Sequence, residues 1–200
     1  VPQQPILHTL RLLLRPFQMS DAPAVKRYAG ERDIANGTGR LPHPYTNGMA
    51  DAWIMTHEEL FATNKEAIWA IVAKDDNTFI GSIGLVLSHE DHNAELGFWI
   101  GLPHWGCGYA TEAARELVRY AFEQHEHPRL EKVFARHFAR NPSSGRVLQK
   151  IGMTQEGIQR KHFMKWEQLE DLVLYGLLRE EWQSAPRSIS RNIEEIFRTS

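Results

Sequence analysis

Gly106 and Gly108 stand two residues apart in HWGCGYATEA, and alanines at helical spacing begin directly after them. A glycine-rich turn at a helix start leaves several backbone N–H groups unpaired, and the helix dipole adds about half a positive charge there. Such a turn suits a pyrophosphate without help from a lysine. A plain tight turn explains the same two glycines equally well. Two better-known phosphate loops are excluded. GCGYAT has Thr111 where a dinucleotide fingerprint carries its third glycine, and it follows an antiparallel pattern instead of opening a βαβ unit. Gly-Lys-Ser/Thr occurs nowhere in the chain, which removes a Walker-type loop.

Other residue types invite other chemistry. Cys107, the one cysteine, suggests an acyl-cysteine, but it lies inside the turn with no histidine fixed beside it, so it reads as structural. His89 and His92 in HEDHN, and His125 and His127 in HEHP, are metal-ligand types. Both pairs fall in expected polar turns, so no metal is expected.

The elements around these residues follow from periodicity. LHTLRLLLRP reads as a first strand ending at a proline, and SDAPAVKRYAG as a helix capped by Ser20 or Asp21 and stopped at Gly30. DIANGTGRLPHPYTNG reads as a loop. MADAWIMTHEELFATN reads as one helix burying Trp53, Met55, Leu60 and Phe61. EAIWAIVAK, TFIGSIGLVLS and NAELGFWIG form an antiparallel meander. In the last of these, Ala94, Leu96, Phe98 and Ile100 share one face and Glu95, Gly97 and Trp99 the other. Ala110, Ala113, Ala114, Leu117, Val118, Ala121 and Phe122 mark the buried stripe of the helix after the glycines. EKVFARHFA is a strand, NPSSGRVLQKIG a short helix with a serine cap and a stop at Gly152, and DLVLYGLLREEW a final strand or strand-to-tail segment. One domain over 1–184 is expected. In the tail 185–200, Ile189, Ile193, Ile196 and Phe197 have amphipathic-helix spacing.

Composition limits the class. Of 200 residues, 42% are hydrophobic and 24% charged, ordinary values for a packed domain. A formal charge of −2 supplies no field that would gather nucleic acid or an anionic membrane. The apolar patch near the start is too short and too interrupted by Arg11 and Arg15 for a signal peptide. A single cysteine allows no internal disulfide. A soluble cytoplasmic protein is expected.

TLRLLLRP, AELGFWIGLPHWGCGYATEA, NPSSGRVLQKIGM and YGLLREEW occur in an order that resembles the GNAT N-acetyltransferase superfamily. More narrowly, the chain resembles the Rim-type branch, which acetylates N-terminal alanine or serine of ribosomal proteins. The resemblance runs from about Leu7 to Trp182. It implies an α+β, three-layer fold: a mixed, mostly antiparallel central sheet of about seven strands, with a splayed parallel pair and flanking helices.

It also implies acetyl-CoA as cosubstrate, without a metal. The family's Q/R-x-x-G-x-G/A turn maps onto Trp105, Gly106, Cys107, Gly108, Tyr109 and Ala110, followed by Thr111. Trp105 departs from the usual Gln or Arg, as the WGxGYA form of the narrower branch does. The strand at Phe98, Trp99 and Ile100 is expected to part from KVFARHF, opening a gap for pantetheine. Asn141 and Ser144 match the family's N-x-x-S, Asn141 facing pantetheine and Arg146 the coenzyme phosphates.

Direct attack on a thioester needs a neutral amine. At pH 7 an α-amine of pKa ~8 is neutral about a tenth of the time, and a lysine of pKa ~10.4 well below ~0.1%. A weak or water-relayed base therefore serves an N-terminal substrate, and Glu95, before the expected gap, is the candidate, as base or as amine anchor. For the leaving thiolate, related enzymes carry a tyrosine where this chain has Leu148, which leaves Ser144 as the nearest hydroxyl, with Tyr109 second. The acceptor side is expected from GTGRLPHPYTNG, the Trp53 helix and RKHFMKWEQLED, with His43, Tyr45 and Trp166. The expected acceptor is a protein or peptide N-terminal amine, the enzyme acting as a monomer or homodimer. Alternatives are a small amine such as an antibiotic or polyamine, or a coenzyme A-binding regulatory module without catalysis.

Overall fold

A computed structural model describes residues 3–125 and 129–184. His127 and the tail 185–200, with its expected amphipathic helix, lie outside the described residues.

Eight strands form one sheet in the order β1-β2-β3-β4-β5-β6-β8-β7. The segment expected as a first strand is a hairpin, β1 (Leu7–His8) and β2 (Leu12–Pro16). Thr9 turns it, its hydroxyl accepting from the Leu12 N–H at 2.8 Å. That hairpin gives two strands where the sequence reading expects one. The meander follows as β3 (Glu66–Ala73), β4 (Phe79–Ser88) and β5 (Asn93–Ile100), all antiparallel. β6 (Lys132–Phe138) pairs parallel with β5, then β7 (Thr154–Lys165) and β8 (Gln168–Leu178) close the sheet as a long hairpin.

Period-two patterning divides the core between the two faces of the sheet. Leu12, Leu14, Ile71, Ile83, Ala94 and Leu96 pack with the apolar stripe of α5 (Tyr109–Glu123), where Ala113, Ala114, Leu117, Val118, Ala121 and Phe122 are buried as their spacing predicts. Full burial of a side chain such as Leu117 stabilises by about 1.5–3 kcal/mol. On the other face, Val72, Phe79 and Trp99 pack against α1 (Ala22–Ala29), α2 (Arg32–Gly37) and α3 (Met49–Met55). Ala94 and Leu96 thus face away from Trp99, as alternation requires.

Several local expectations are corrected. The presumed loop contains α2, because Ile34 and Ala35 are buried in the second cluster. The presumed single helix breaks at Thr56 into α3 and α4 (His57–Ala62). Met55, expected inside, is 73% exposed, while Ile54 takes the buried position. The N-cap position of α6 (Pro142–Lys150) is Asn141, not a serine, though its side chain makes no capping bond, and Gly152 follows the helix at φ +94°. After β8 the chain turns into α7 (Arg179–Ser184). Among the described residues no helix is long and apolar enough to cross a membrane.

Register creates the feature that matters most. β5 and β6 pair only from Asn93↔Lys132 to Glu95↔Phe134. Beyond that point β5 stays with β4 as far as Ile100, and β6 stays with β8 as far as Phe138. The two strands part after Glu95.

Candidate active site

The glycine turn sits at the open end of this fork. Gly106 and Gly108 take φ of +76° and +82°, the left-handed region that costs other L-residues about 1–2 kcal/mol. Gly108 caps α5, whose first helical bond runs from the Glu112 N–H to the Gly108 carbonyl. The N–H groups of Tyr109, Ala110 and Thr111 therefore have no acceptor within the helix. Trp105 reaches back, its indole N–H donating to the Ile100 carbonyl at 2.7 Å. The residue that departs from the family's turn thus fastens the turn to the end of β5.

A brace that sequence reasoning missed holds the turn from behind. Arg11 donates to the Cys107 carbonyl at 3.0 Å and stacks 4.6 Å from the centre of the Tyr109 ring. Its other guanidinium nitrogens meet Glu112 at 2.7 Å. Burial pushes the Glu112 carboxyl up, but hydrogen bonds from Thr9 and from the Arg11 backbone and side chain outweigh it and hold it below its ordinary value. No local pattern marks the pair, which meets across 101 residues of chain.

A cavity of about 590 Å³ joins the turn to the fork. Phe98, Trp99, Ile100, Trp105, Gly106, Gly108, Tyr109, Ala110, Thr111, Asn141, Ser144 and Arg146 all line it. Cys107 does not; it is exposed, and its Sγ lies 3.6 Å from the Trp105 carbonyl. His104 also lines the cavity, 3.2 Å from the Tyr28 hydroxyl, and burial lowers its pKa against the opposing charge of Asp76.

Asn141 ties two walls of the cavity together. Its amide donates to the Gly37 carbonyl at 3.3 Å and to the Ser144 hydroxyl at 3.2 Å. Because Asn141 is the cap, Ser144 sits in the first turn of α6, and its own proton remains available to a ligand. Leu148, at the position where the family resemblance places a tyrosine, is buried in the core and does not line this cavity.

Glu95 lies at the last paired position before the fork, and both of its carboxylate oxygens accept from Arg136, at 3.0 and 2.8 Å. It lines neither cavity of the site. A second cavity, of about 420 Å³, is bounded by Arg32, Lys165, Trp166, Gln168 and Glu170, and shares Asp33, Asn36 and Arg140 with the first. Lys165 donates to the Leu41 carbonyl at 2.8 Å, and burial, then the charge of Arg140, lowers its pKa. Arg140 donates to Glu170 at 2.8 Å and to the Asn36 carbonyl at 2.9 Å. Of the expected acceptor-side residues, Trp166 lines this cavity and His43 lies 5.8 Å from its ring. Tyr45 and Trp53 instead pack against the α1–α3 cluster. Among the described residues, no three His, Cys, Asp or Glu side chains gather to hold a metal ion.

A turn of unpaired N–H groups, an unpaired strand edge beside it and a cavity connecting the two fit the pyrophosphate and pantetheine of coenzyme A. Comparison with known proteins points the same way. The pattern of the acetyltransferase (GNAT) domain matches residues 11–154. The chain is 30% identical over 176 residues to the uncharacterized N-acetyltransferase YnaD of Bacillus subtilis, covering 87% of this chain and 97% of that protein. A GNAT-family acetyltransferase structure from Bacillus anthracis superposes with a TM-score of 0.78 at 25% identity, over 88% of this chain and all (100%) of that one. RimL, a ribosomal α-N-protein acetyltransferase solved with coenzyme A, shares the fold at a TM-score of 0.78 and 15% identity, over 88% of this chain and 99% of its own. With a donor groove of this geometry under a matching domain pattern, the chain belongs to the GNAT acetyltransferases and is an acetyl-CoA-dependent enzyme.

Proposed function

We propose that the enzyme moves acetyl from acetyl-CoA to the α-amine of a protein or peptide N-terminus. The observation that carries this reading is the charge of the second cavity. Three cations, Arg32, Arg140 and Lys165, line it against two carboxylates, Asp33 and Glu170, and Glu170 is already paired with Arg140. A polycationic amine meets net repulsion there, whereas a peptide brings one ammonium and a chain of carbonyl acceptors. The 590 Å³ groove and the 420 Å³ pocket meet at their shared residues, which gives donor and acceptor a common point. RimL performs such a transfer on this fold.

In this account the free N–H groups at Tyr109, Ala110 and Thr111 hold the pyrophosphate, and Arg146 approaches the remaining phosphate charge. Asn141 bonds pantetheine. The acetyl group rides on the coenzyme thioester and leaves it as the amine attacks. Ser144 donates its hydroxyl proton as a hydrogen bond to the departing sulfur. Glu95 relays a proton outward through water; each of its oxygens keeps a lone pair beyond the one given to Arg136. An α-amine of pKa ~8 needs little more than such a relay.

The test is release of free thiol from acetyl-CoA with a panel of acceptors. Peptides with free N-termini are expected to turn over well ahead of N-blocked lysine peptides and of spermidine. Turnover confined to small amines contradicts the proposal, and coenzyme binding without turnover on any acceptor favours a regulatory module.

A further inference from the structure

Two carboxylates, Asp33 and Glu170, line the second cavity, a third, Glu95, stands at the closed end of the fork, and the three are not equivalent. Both oxygens of Glu95 are held by Arg136, and Glu170 is held by Arg140 at 2.8 Å. Asp33 lines both cavities, and among the described residues it has no hydrogen bond or ion pair. Its side chain is exposed, but the backbone that carries it is fixed. Neighbouring Ile34 and Ala35 are 2% and 0% exposed in the α1–α3 cluster. The far end of α2 is tied down by Arg140 donating to the Asn36 carbonyl and Asn141 donating to the Gly37 carbonyl. The same Asn141 amide reaches Ser144, so α2 and the expected thiolate donor belong to one connected frame.

We infer that Asp33 is the residue that receives the acceptor ammonium, its free carboxylate placed where the acceptor pocket opens into the donor groove. The inference rests on direct attack by an amine, as proposed above, and assigns anchoring to Asp33 while Glu95 keeps the relay. An incoming ammonium donates to the Asp33 carboxylate, which aims its nitrogen at the groove. One proton leaves to water before attack. The N–C bond then forms as the C–S bond breaks, and the second amine proton ends on the coenzyme sulfur.

Asp33→Asn separates the roles. It is expected to raise the peptide KM by about 10- to 100-fold, as loss of a charge-assisted hydrogen bond does, with kcat changed far less. Coenzyme A affinity and melting temperature stay at wild-type values, and Asp33→Glu recovers part of the loss. A des-amino peptide, lacking the ammonium, is expected to inhibit wild type and Asp33→Asn equally. An unchanged KM, or equal weakening of the des-amino peptide, overturns the inference. Should the wild-type enzyme accept only a small amine, the peptide reading falls. The same comparison, made with that amine and its des-amino analogue, still decides the role of Asp33.

Discussion

Arg136 grips both carboxylate oxygens of Glu95, at 3.0 and 2.8 Å, at the last residue where β5 and β6 still pair. The pair closes the narrow end of the fork, and the glycine turn stands at its open end. A half-exposed pair of this kind contributes little to stability, about 1 kcal/mol or less. Its significance in this account is chemical.

Glu95→Gln removes the relay and leaves the fork in place. The expected result is a kcat lower by about 10- to 100-fold, with coenzyme A affinity unchanged by calorimetry. A rate equal to wild type from about pH 6 to 9 rules the relay out.

Ser144→Ala tests the thiolate donor without confusing it with a helix cap. Loss of a capping serine costs about 0.5–2 kcal/mol, but the cap of α6 is Asn141. The melting temperature should therefore barely move while kcat falls by roughly tenfold or more. A large stability loss at unchanged kcat contradicts the assignment.

Gly108→Ala puts a side chain on a residue at φ +82°, with the new Cβ 3.5 Å from an Arg11 guanidinium nitrogen. The conformation alone costs about 1–2 kcal/mol. The turn shifts, and coenzyme A affinity is expected to fall by tenfold or more in titration calorimetry. Unaltered affinity places the pyrophosphate elsewhere.

His57, which lines neither cavity, provides a pH signature of stability. It packs edge-on against Phe17 and Trp53, with ring centres 5.0 and 4.4 Å away, and neither ring nitrogen has a hydrogen-bond partner among the described residues. Burial pushes its pKa down to about 4, from an unfolded value near ~6.5. The folded state therefore favours the neutral ring. The full contribution is present above about pH 6.5 and is lost as pH falls towards 4. The difference amounts to roughly 3 kcal/mol at most. Denaturant unfolding at about pH 7 and pH 4.5 should show that loss in wild type and a flatter dependence in His57→Leu. Equal slopes contradict it.

The meander and the turn were legible because short β-branched runs and paired glycines are local signals. EAIWAIVAK announces β3 by composition alone, and GCGYAT announces a helix N-terminus. α2 was not, since DIANG looks like a loop until Ile34 and Ala35 are buried, Ile34 in a cluster with Trp99, which lies far along the chain. The cap of α6 was misassigned by a few residues, because NPSS offers asparagine and two serines with similar capping chemistry. Arg140 donates to the Asn36 carbonyl of α2 across 104 residues, and Arg11 reaches Glu112 across 101. Contacts at that separation leave no spacing to read. Trp166 was recognisable as an acceptor-side aromatic; the β7–β8 hairpin that carries it was not, and the cations around it were visible as residues but not as one pocket.

The most direct measurement uses one unblocked peptide that carries both a free α-amine and an internal lysine. After incubation with acetyl-CoA, fragment mass spectrometry locates the acetyl group. Acetyl is expected on the α-amine, with the lysine unmodified. Acetyl on the lysine, or an untouched peptide in an enzyme that acetylates spermidine, contradicts it.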